Sequence, residues 1–528
     1  MSPSVRWRLA LVACSLATVV PLWVTRHLPF TDLPEHVATI ATLRHWFDDT
    51  WPDSHIYEVS TRGTPYIGYQ VLGALLTACV RDPLLANRLL MTGIGLGIPW
   101  ATRFLVVAFG GDERLALFGC AAFWCRALVL GFLPFMSAVP LTIFVLALAV
   151  RQARAPTRGR AIAMAAISTL VFYLHLVPFL LVVGVGVALE VVIATGDGSR
   201  RPVRFVRRAM RLAWLGPGLL AALWWAVRTH TGAPMMGEGA VRFLPARELA
   251  EDFPVWSQAW RSKLDVFAGA ATWVAILSLA LHRRVPEPQG LKGLVLRATP
   301  LACALVIFAL VPFGAGVTAM LNVRVAVFFV PLVAPVLRPN HNRLTAGVLA
   351  FVACVTLALS AEAAVRVWRA DRAEMAGFDQ LIDRATPGAP LLALEFDRGS
   401  AFADFSPWLH AAAYHRLRGG GVASYTFAEL PHWPIHFRPE ARPPRAHAHE
   451  IEWNPCVFRN AVDGVYYSYV LVRGSVDPFA RATSGPRWQL VDRAADWSLF
   501  ERVPGQRLAG DSEDLGPCAP PAPPRQGS

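Results

Sequence analysis

The residues best suited to chemistry follow the first apolar run: Asp32, Glu35 and His36, in Pro29-Phe30-Thr31-Asp32-Leu33-Pro34-Glu35-His36. A carboxylate a few residues beyond the membrane boundary can act as a general base toward a membrane-borne substrate. The same spacing, Asp with Glu three residues later, is also a capping box with Asp in place of Ser or Thr, and carboxylates are favoured at a helix N-terminus. One aspartate can do both. The pattern over 37–47 then reads as an amphipathic helix able to lie along a bilayer interface. Other candidates sit in or beside apolar sequence. Arg324 stands inside or at the rim of an apolar span, where a guanidinium is costly and by default functional, unless it snorkels to an interface; its planar fork suits a phosphate. Arg103 has the same two readings. His175, at the break in Leu174-His175-Leu176-Val177-Pro178, either lines a cavity or caps backbone groups. Asp112 and Glu113, read at the outer end of the apolar run before them, are a further acidic pair or a plain turn.

What positions these residues is set by composition. The chain has 528 residues, of which 54% are hydrophobic and 16% charged, against roughly 25% charged in an ordinary soluble domain. The expectation is an α-helical polytopic membrane protein, and the same figures exclude disorder. The formal charge of +13 would suggest nucleic acid in a soluble chain. Here the arginines lie in short runs between apolar stretches, where they orient helices in a bilayer, so the lipid bilayer is the expected partner and nucleic acid is not. No P-loop, dinucleotide-binding glycine motif or GxSxG elbow is present.

Arg6 and Arg8 precede the apolar run 9–24, which makes a retained first helix with a cytoplasmic start. Further apolar segments at 64–80, 85–109, 115–150, 161–195, 212–227, 265–282, 298–316, 318–337 and 345–366 bring the total to about eleven membrane helices. The 161–195 run reads as a hairpin broken at His175, and 115–150 as one net crossing, broken at Pro134 and Pro140. Long outer connections fall at 26–63 and 229–264. From 367 to 515 the composition is that of a small extracytoplasmic α/β domain, with strands at 390–395, 466–472 and 497–501 and a helix at 374–384. A proline-rich tail, 516–528, is read as disordered. Cys456 and Cys518, in the polar C-terminal part, form a candidate disulfide or remain two free thiols.

The acidic motif after the first helix, the juxtamembrane helix behind it, and Thr64-Pro65-Tyr66-Ile67-Gly68-Tyr69 opening the next helix resemble the GT-C superfamily of integral-membrane glycosyltransferases, of the protein mannosyltransferase and aminoarabinose transferase type. Gly131-Phe132-Leu133-Pro134-Phe135, the His175 break and a soluble domain after the last helix agree with that layout. The resemblance implies a fold and an activity: transfer of a sugar, with inversion, from a polyprenyl-phosphate carrier to a glycan, lipid or protein acceptor on the outer face of the cytoplasmic membrane. It implies Asp32 as base with Glu35 beside it, and His36, Arg324, Arg103, His175, Asp112 and Glu113 as substrate-binding candidates. In such enzymes the loop acid acts as base or binds a divalent metal. The D-x-D of some families is missing, since Asp48, Asp49 and Asp53 do not form it, and a metal requirement stays open. The alternatives are a transporter or flippase, which should show inverted repeats, and a non-catalytic scaffold of envelope polysaccharide assembly.

Overall fold

Apolar runs of bilayer length become helices here, interrupted where proline, glycine or a polar anchor breaks the ladder. The computed structural model describes residues 3–60, 63–196, 210–230, 241–282, 290–315, 318–443, 449–509 and 518. The tail beyond Cys518 and the arginines of 200–209 lie outside the described residues. Seven described helices are long and apolar enough to cross a membrane: Val5–Trp23, Pro83–Ala108, Leu133–Arg154, Leu176–Ile193, Lys263–Leu281, Gly290–Leu310 and Arg343–Glu374. Two shorter apolar segments are Ile67–Val80 and Val323–Val336. This is the pattern of a multi-pass membrane protein. The chain divides into two compact units, the first made of 1–26, 61–73 and 84–367, the second of 27–60, 74–83 and 368–528.

In the first unit the helix Pro83–Ala108 runs antiparallel to the first helix. Arg88 near its start donates to the carbonyls of Thr25 and Arg26, while Arg103 near its end reaches Glu113, which also faces Arg8. The stretch expected to make one net crossing at 115–150 behaves differently. Short helices Glu113–Ala116, Leu117–Ala121 and Arg126–Val129 climb beside the first helix, with Cys120 Sγ 3.8 Å from Ser15 Oγ and Trp124 Nε1 donating to the Thr18 carbonyl at 3.0 Å. The helix Leu133–Arg154 then descends, until Arg154 donates to the Ala108 carbonyl at 2.7 Å. The segment therefore leaves from and returns to one end of the unit. Pro134 is at the helix start, where its missing N–H costs nothing, and Pro140 is accommodated inside it. The helices Arg158–Leu174 and Leu176–Gly196 meet at His175 in extended backbone, as the sequence hairpin required. Residues 318–337 correct the expectation of a full-length span: the contiguous 3-10, α and 3-10 segments Val323–Phe328, Phe329–Val333 and Ala334–Val336 make one shorter apolar helical stretch.

The second unit holds a four-stranded sheet, in the order β2 (Leu391–Glu395), β4 (Tyr469–Arg473), β6 (Trp497–Ala509), β5 (Ser484–Ala494). β2 and β4 pair in parallel, with Leu391 opposite Tyr469 and Glu395 opposite Arg473; the other pairs are antiparallel. Every residue of β2 and β4 is buried, which is why both read as continuous apolar runs rather than alternations. A second, two-stranded sheet pairs β1 (Tyr57–Val59) with β3 (Ile435–Phe437). Its neighbours Val422, Ala428 and Trp433 complete a small core with Tyr57. The loop 27–60 is thus part of the same folded unit as the C-terminal sequence. The helix expected at 374–384 splits: Arg343–Glu374 ends near Gly377, whose φ of +74° stops it, and Phe378–Ile382 starts anew. Gly421 is tightly packed. It has φ +96°, and a Cβ there would lie 2.6 Å from the Gly388 carbonyl oxygen.

Candidate functional site

Asp32 sits at the N-cap of the helix Leu33–Arg44, which Pro34 opens in the first turn. The capping box does not form, because the Asp32 side chain makes no cap hydrogen bond. Its Oδ1 instead stands 3.4 Å from Nδ1 of His410, whose Nε2 is 2.8 Å from Glu452 Oε1. Side-chain exposure is 17% for Asp32 and 5% for each of the other two, so Asp32 is the open end of the row. The His410 ring is held edge-on by Phe427 at 5.0 Å between centroids. Burial pulls the His410 pKa down, but Asp32 and Glu452 outweigh it and leave the imidazole well above its ordinary value.

Glu35, expected beside Asp32 at the reacting centre, has another occupation. It is 1% exposed. Its Oε2 lies 3.5 Å from Arg416 Nη1 and accepts from Thr426 Oγ1 at 3.1 Å and from the Phe427 N–H at 3.2 Å. Arg416 is fully buried, donates to Thr426 Oγ1 and to Thr39 Oγ1, and lies over the Tyr57 ring. Asp53 joins the same region, accepting from the Gly421 N–H at 2.7 Å, and burial raises its pKa against the pull of Arg416. The juxtamembrane helix is therefore not an interfacial amphipath: all ten residues from Leu33 to Thr42 are buried. His36 packs its ring against Trp433 at 5.2 Å and Phe427 at 6.4 Å.

In the first unit, the structure brings together Arg324 and His175, with 3.4 Å between Nη1 and Nε2. Arg324 is anchored by the Ala319 and Met320 carbonyls, each at 2.9 Å, and its guanidinium stands 3.6 Å over the Phe132 ring. Met320 has φ +61°, a costly conformation for a side chain larger than glycine, at the bend that presents its carbonyl. His175 Nδ1 accepts from the Val177 N–H at 3.1 Å. The Nε2 edge of the ring therefore faces the Arg324 guanidinium. Tyr66 and Phe135 pack edge-on to the same ring at 5.0 and 5.2 Å.

Arg103, Asp112 and Glu113 form a different group. Arg103 Nε donates to Glu113 at 3.0 Å, and Arg114 binds Asp112 through Nε and Nη2 at 2.6–3.0 Å. Asp112 also caps the turn Glu113–Ala116. These residues lie at the Arg8 end of the first helix, opposite Arg26, whereas the sequence reading put the acidic pair at the outer end.

Among the described residues no group of three His, Cys, Asp or Glu is arranged to hold an ion, and both ring nitrogens of His410 face carboxylates. A cation would have to displace one of those contacts, so this donor set does not fit the divalent metal that the resemblance left open. Cys456 and Cys518 are joined as a disulfide, with Cα atoms 5.1 Å apart. Glu452, Arg416, Thr426 and His410 belong to no local motif that would single them out. Thr426 and Glu35 are 391 positions apart, and no local spacing signals such a pair.

No protein-family model matches the chain, and no curated protein matches it. Solved structures do. ArnT from Cupriavidus metallidurans bound to undecaprenyl phosphate is 13% identical, with a TM-score of 0.55 over 97% of this chain and 100% of that one. The same enzyme in its apo state gives a TM-score of 0.50 at 14% identity over the same shares. The mycobacterial arabinofuranosyltransferase AftD is 14% identical, with a TM-score of 0.52 over 97% of this chain. This chain spans 40% of AftD's length. Apolar helices, the small C-terminal sheet and these likenesses agree, and the chain shares the fold of the solved ArnT and AftD structures.

Proposed function

We propose that the protein is a glycosyltransferase that moves a sugar from a polyprenyl-phosphate carrier to an acceptor on the outer face of the cytoplasmic membrane, with Asp32 as base. The observation that carries this reading is the contrast within one helical turn: Glu35 is buried and engaged, while Asp32 keeps a partly exposed carboxylate beside a fixed imidazole. In the reaction the acceptor hydroxyl oxygen attacks the anomeric carbon, the bond to the phosphate oxygen breaks, and the hydroxyl proton passes to Asp32. Attack opposite the leaving phosphate inverts the configuration. A positioned carboxylate of this kind typically contributes roughly 10²–10⁴-fold.

Arg324 and His175 are assigned to the leaving phosphate. A guanidinium with an imidazole beside it suits phosphate oxygens, and the two carbonyls fix the guanidinium before any substrate arrives. ArnT, whose fold this chain shares, was solved with undecaprenyl phosphate bound, which supports a carrier of that chemistry. The positive-inside rule assigns the Arg8 end of the first unit to the cytoplasm, and with it Arg103, Asp112 and Glu113, which are therefore omitted from the reacting centre.

The test is transfer of radiolabelled sugar from a panel of polyprenyl-phosphate donors, in membranes carrying wild type or Asp32→Asn at matched protein level. Transfer by wild type and its loss in the variant is the expected result. Equal transfer by both would remove Asp32 from the mechanism, and full cellular function of the variant would favour a scaffold.

A further inference from the structure

Two carboxylates flank one buried imidazole: Glu452 hydrogen-bonds to Nε2 at 2.8 Å, and Asp32 lies at ion-pair distance from Nδ1, 3.4 Å away and outside hydrogen-bond geometry. A neutral ring has one N–H and one lone pair, so one of the two contacts would set a lone pair against a carboxylate oxygen. Both contacts are attractive only when the ring carries both protons. Phe427 restricts the ring plane, and the chain turns into the helix Ala413–Gly419 immediately after His410, with the Ala413 N–H donating to the His410 carbonyl.

A third carboxylate belongs to the same surroundings. Glu395, at the end of β2, is buried, and neither of its oxygens has a hydrogen-bond partner among the described residues. Burial pushes its pKa up to about 8, against the pull of Arg473 and His410. Burial therefore favours the neutral acid at Glu395, and the carboxylates within ion-pair distance of His410 are Asp32 and Glu452. Of the two carboxylates beside the imidazole, Asp32 is the partly exposed one.

We propose that His410, clamped by Glu452, is a positioning residue for Asp32: its imidazolium draws the carboxylate out of the helix cap, aims it, and balances its charge. The inference rests on the reading of Asp32 as base, and deepens it. The helix explains why such a device is needed. Left alone, an N-cap aspartate turns onto the free N–H groups of its own first turn, and a base engaged there is poorly available to a substrate hydroxyl.

The first measurement needs no substrate. Deuterium exchange at the imidazole carbon, followed by mass spectrometry on the detergent-solubilised full chain, reports the protonation midpoint of His410 in wild type, Asp32→Asn and Glu452→Gln. The expected midpoint lies at least about one unit above the ordinary ~6.5 and falls by about one unit or more in Glu452→Gln. A wild-type midpoint at or below the ordinary value, or one unmoved by Glu452→Gln, overturns the proposal. The second measurement is transfer from undecaprenyl-phosphate-linked pentose and hexose donors by His410→Gln and Glu452→Gln. Both variants should lose about 10- to 100-fold in kcat with donor KM within about threefold, part of the general-base contribution. The loss should be several-fold larger at pH 5.5 than at pH 8, and His410→Lys should recover part of it. Asp32→Asn inactive with His410→Gln and Glu452→Gln unaffected would sink this inference alone; Asp32→Asn fully active would sink the base reading and the positioning role together.

Discussion

Two acidic pairs, Asp32 with Glu35 and Asp112 with Glu113, offered the same chemistry in sequence, and the fold gives them opposite lives. The second pair is taken up by Arg103 and Arg114 at partly exposed positions of the first unit. The first pair is divided: Glu35 goes to a fully buried arginine, and Asp32 to a histidine that another carboxylate holds. A carboxylate near a helix start is therefore no better than its partners. Asp112 is gripped bidentately by Arg114, and Glu35 accepts from Thr426 and the Phe427 N–H beside Arg416, whereas Asp32 has, among the described residues, only an imidazole at ion-pair distance from one oxygen.

This contrast can be broken most easily by activity. Asp32→Asn should reduce sugar transfer by roughly 10²–10⁴-fold, while Asp112→Asn and Glu113→Gln change it by less than about twofold; comparable losses in all three would erase the distinction. The next largest effect concerns stability. Removing one partner of a buried pair leaves an uncompensated charge, so Arg416→Met or Glu35→Gln should cost about 3–5 kcal/mol. The double variant should cost less than the sum of the singles, as read from denaturant or thermal unfolding. Third, Arg324→Gln should weaken binding of undecaprenyl phosphate by about 10- to 100-fold, the worth of charged hydrogen bonds of about 1.5–3 kcal/mol, with Arg103→Gln near neutral.

A smaller effect is carried by pH. Burial lowers the His27 pKa, but hydrogen bonds to Asp371 and Asp379 outweigh it and leave the pKa raised. A group raised in the folded state contributes fully below its unfolded value of about 6.5 and loses that contribution as pH rises through its folded value. The unfolding temperature should thus fall by a few degrees between about pH 6 and about pH 9, and His27→Gln should flatten the slope. Smallest of all, Arg103→Gln or Glu113→Gln should alter stability by about 0–1 kcal/mol, as partly exposed pairs do.

How much could be read in advance varies with the range of the interaction. The His175 break was legible because a proline three residues on and arginine runs at both ends constrain a hairpin locally. The strands β2 and β4 were legible because buried parallel strands are continuous apolar runs. The region 318–337 misled, since apolar composition cannot distinguish a full-length span from a shorter helical stretch, and the left-handed Met320 that bends the chain toward Arg324 has no composition signal. The helix after Asp32 misled for a related reason: its polar residues Thr39 and Thr42 looked like a solvated face, yet they receive Trp433 and Arg416 and donate to Asp53.

By itself, the sequence determined the class of molecule, the positions of most apolar helices, the change of composition after the last of them, and the short list of chemically able residues. Those properties follow from local composition and periodicity, which burial in lipid or in a core imposes residue by residue. Only the tertiary structure decided which acid is engaged and which is open. His410, Glu452 and Arg416 come from hundreds of positions away, and the availability of a carboxylate depends on the donors that surround it in space.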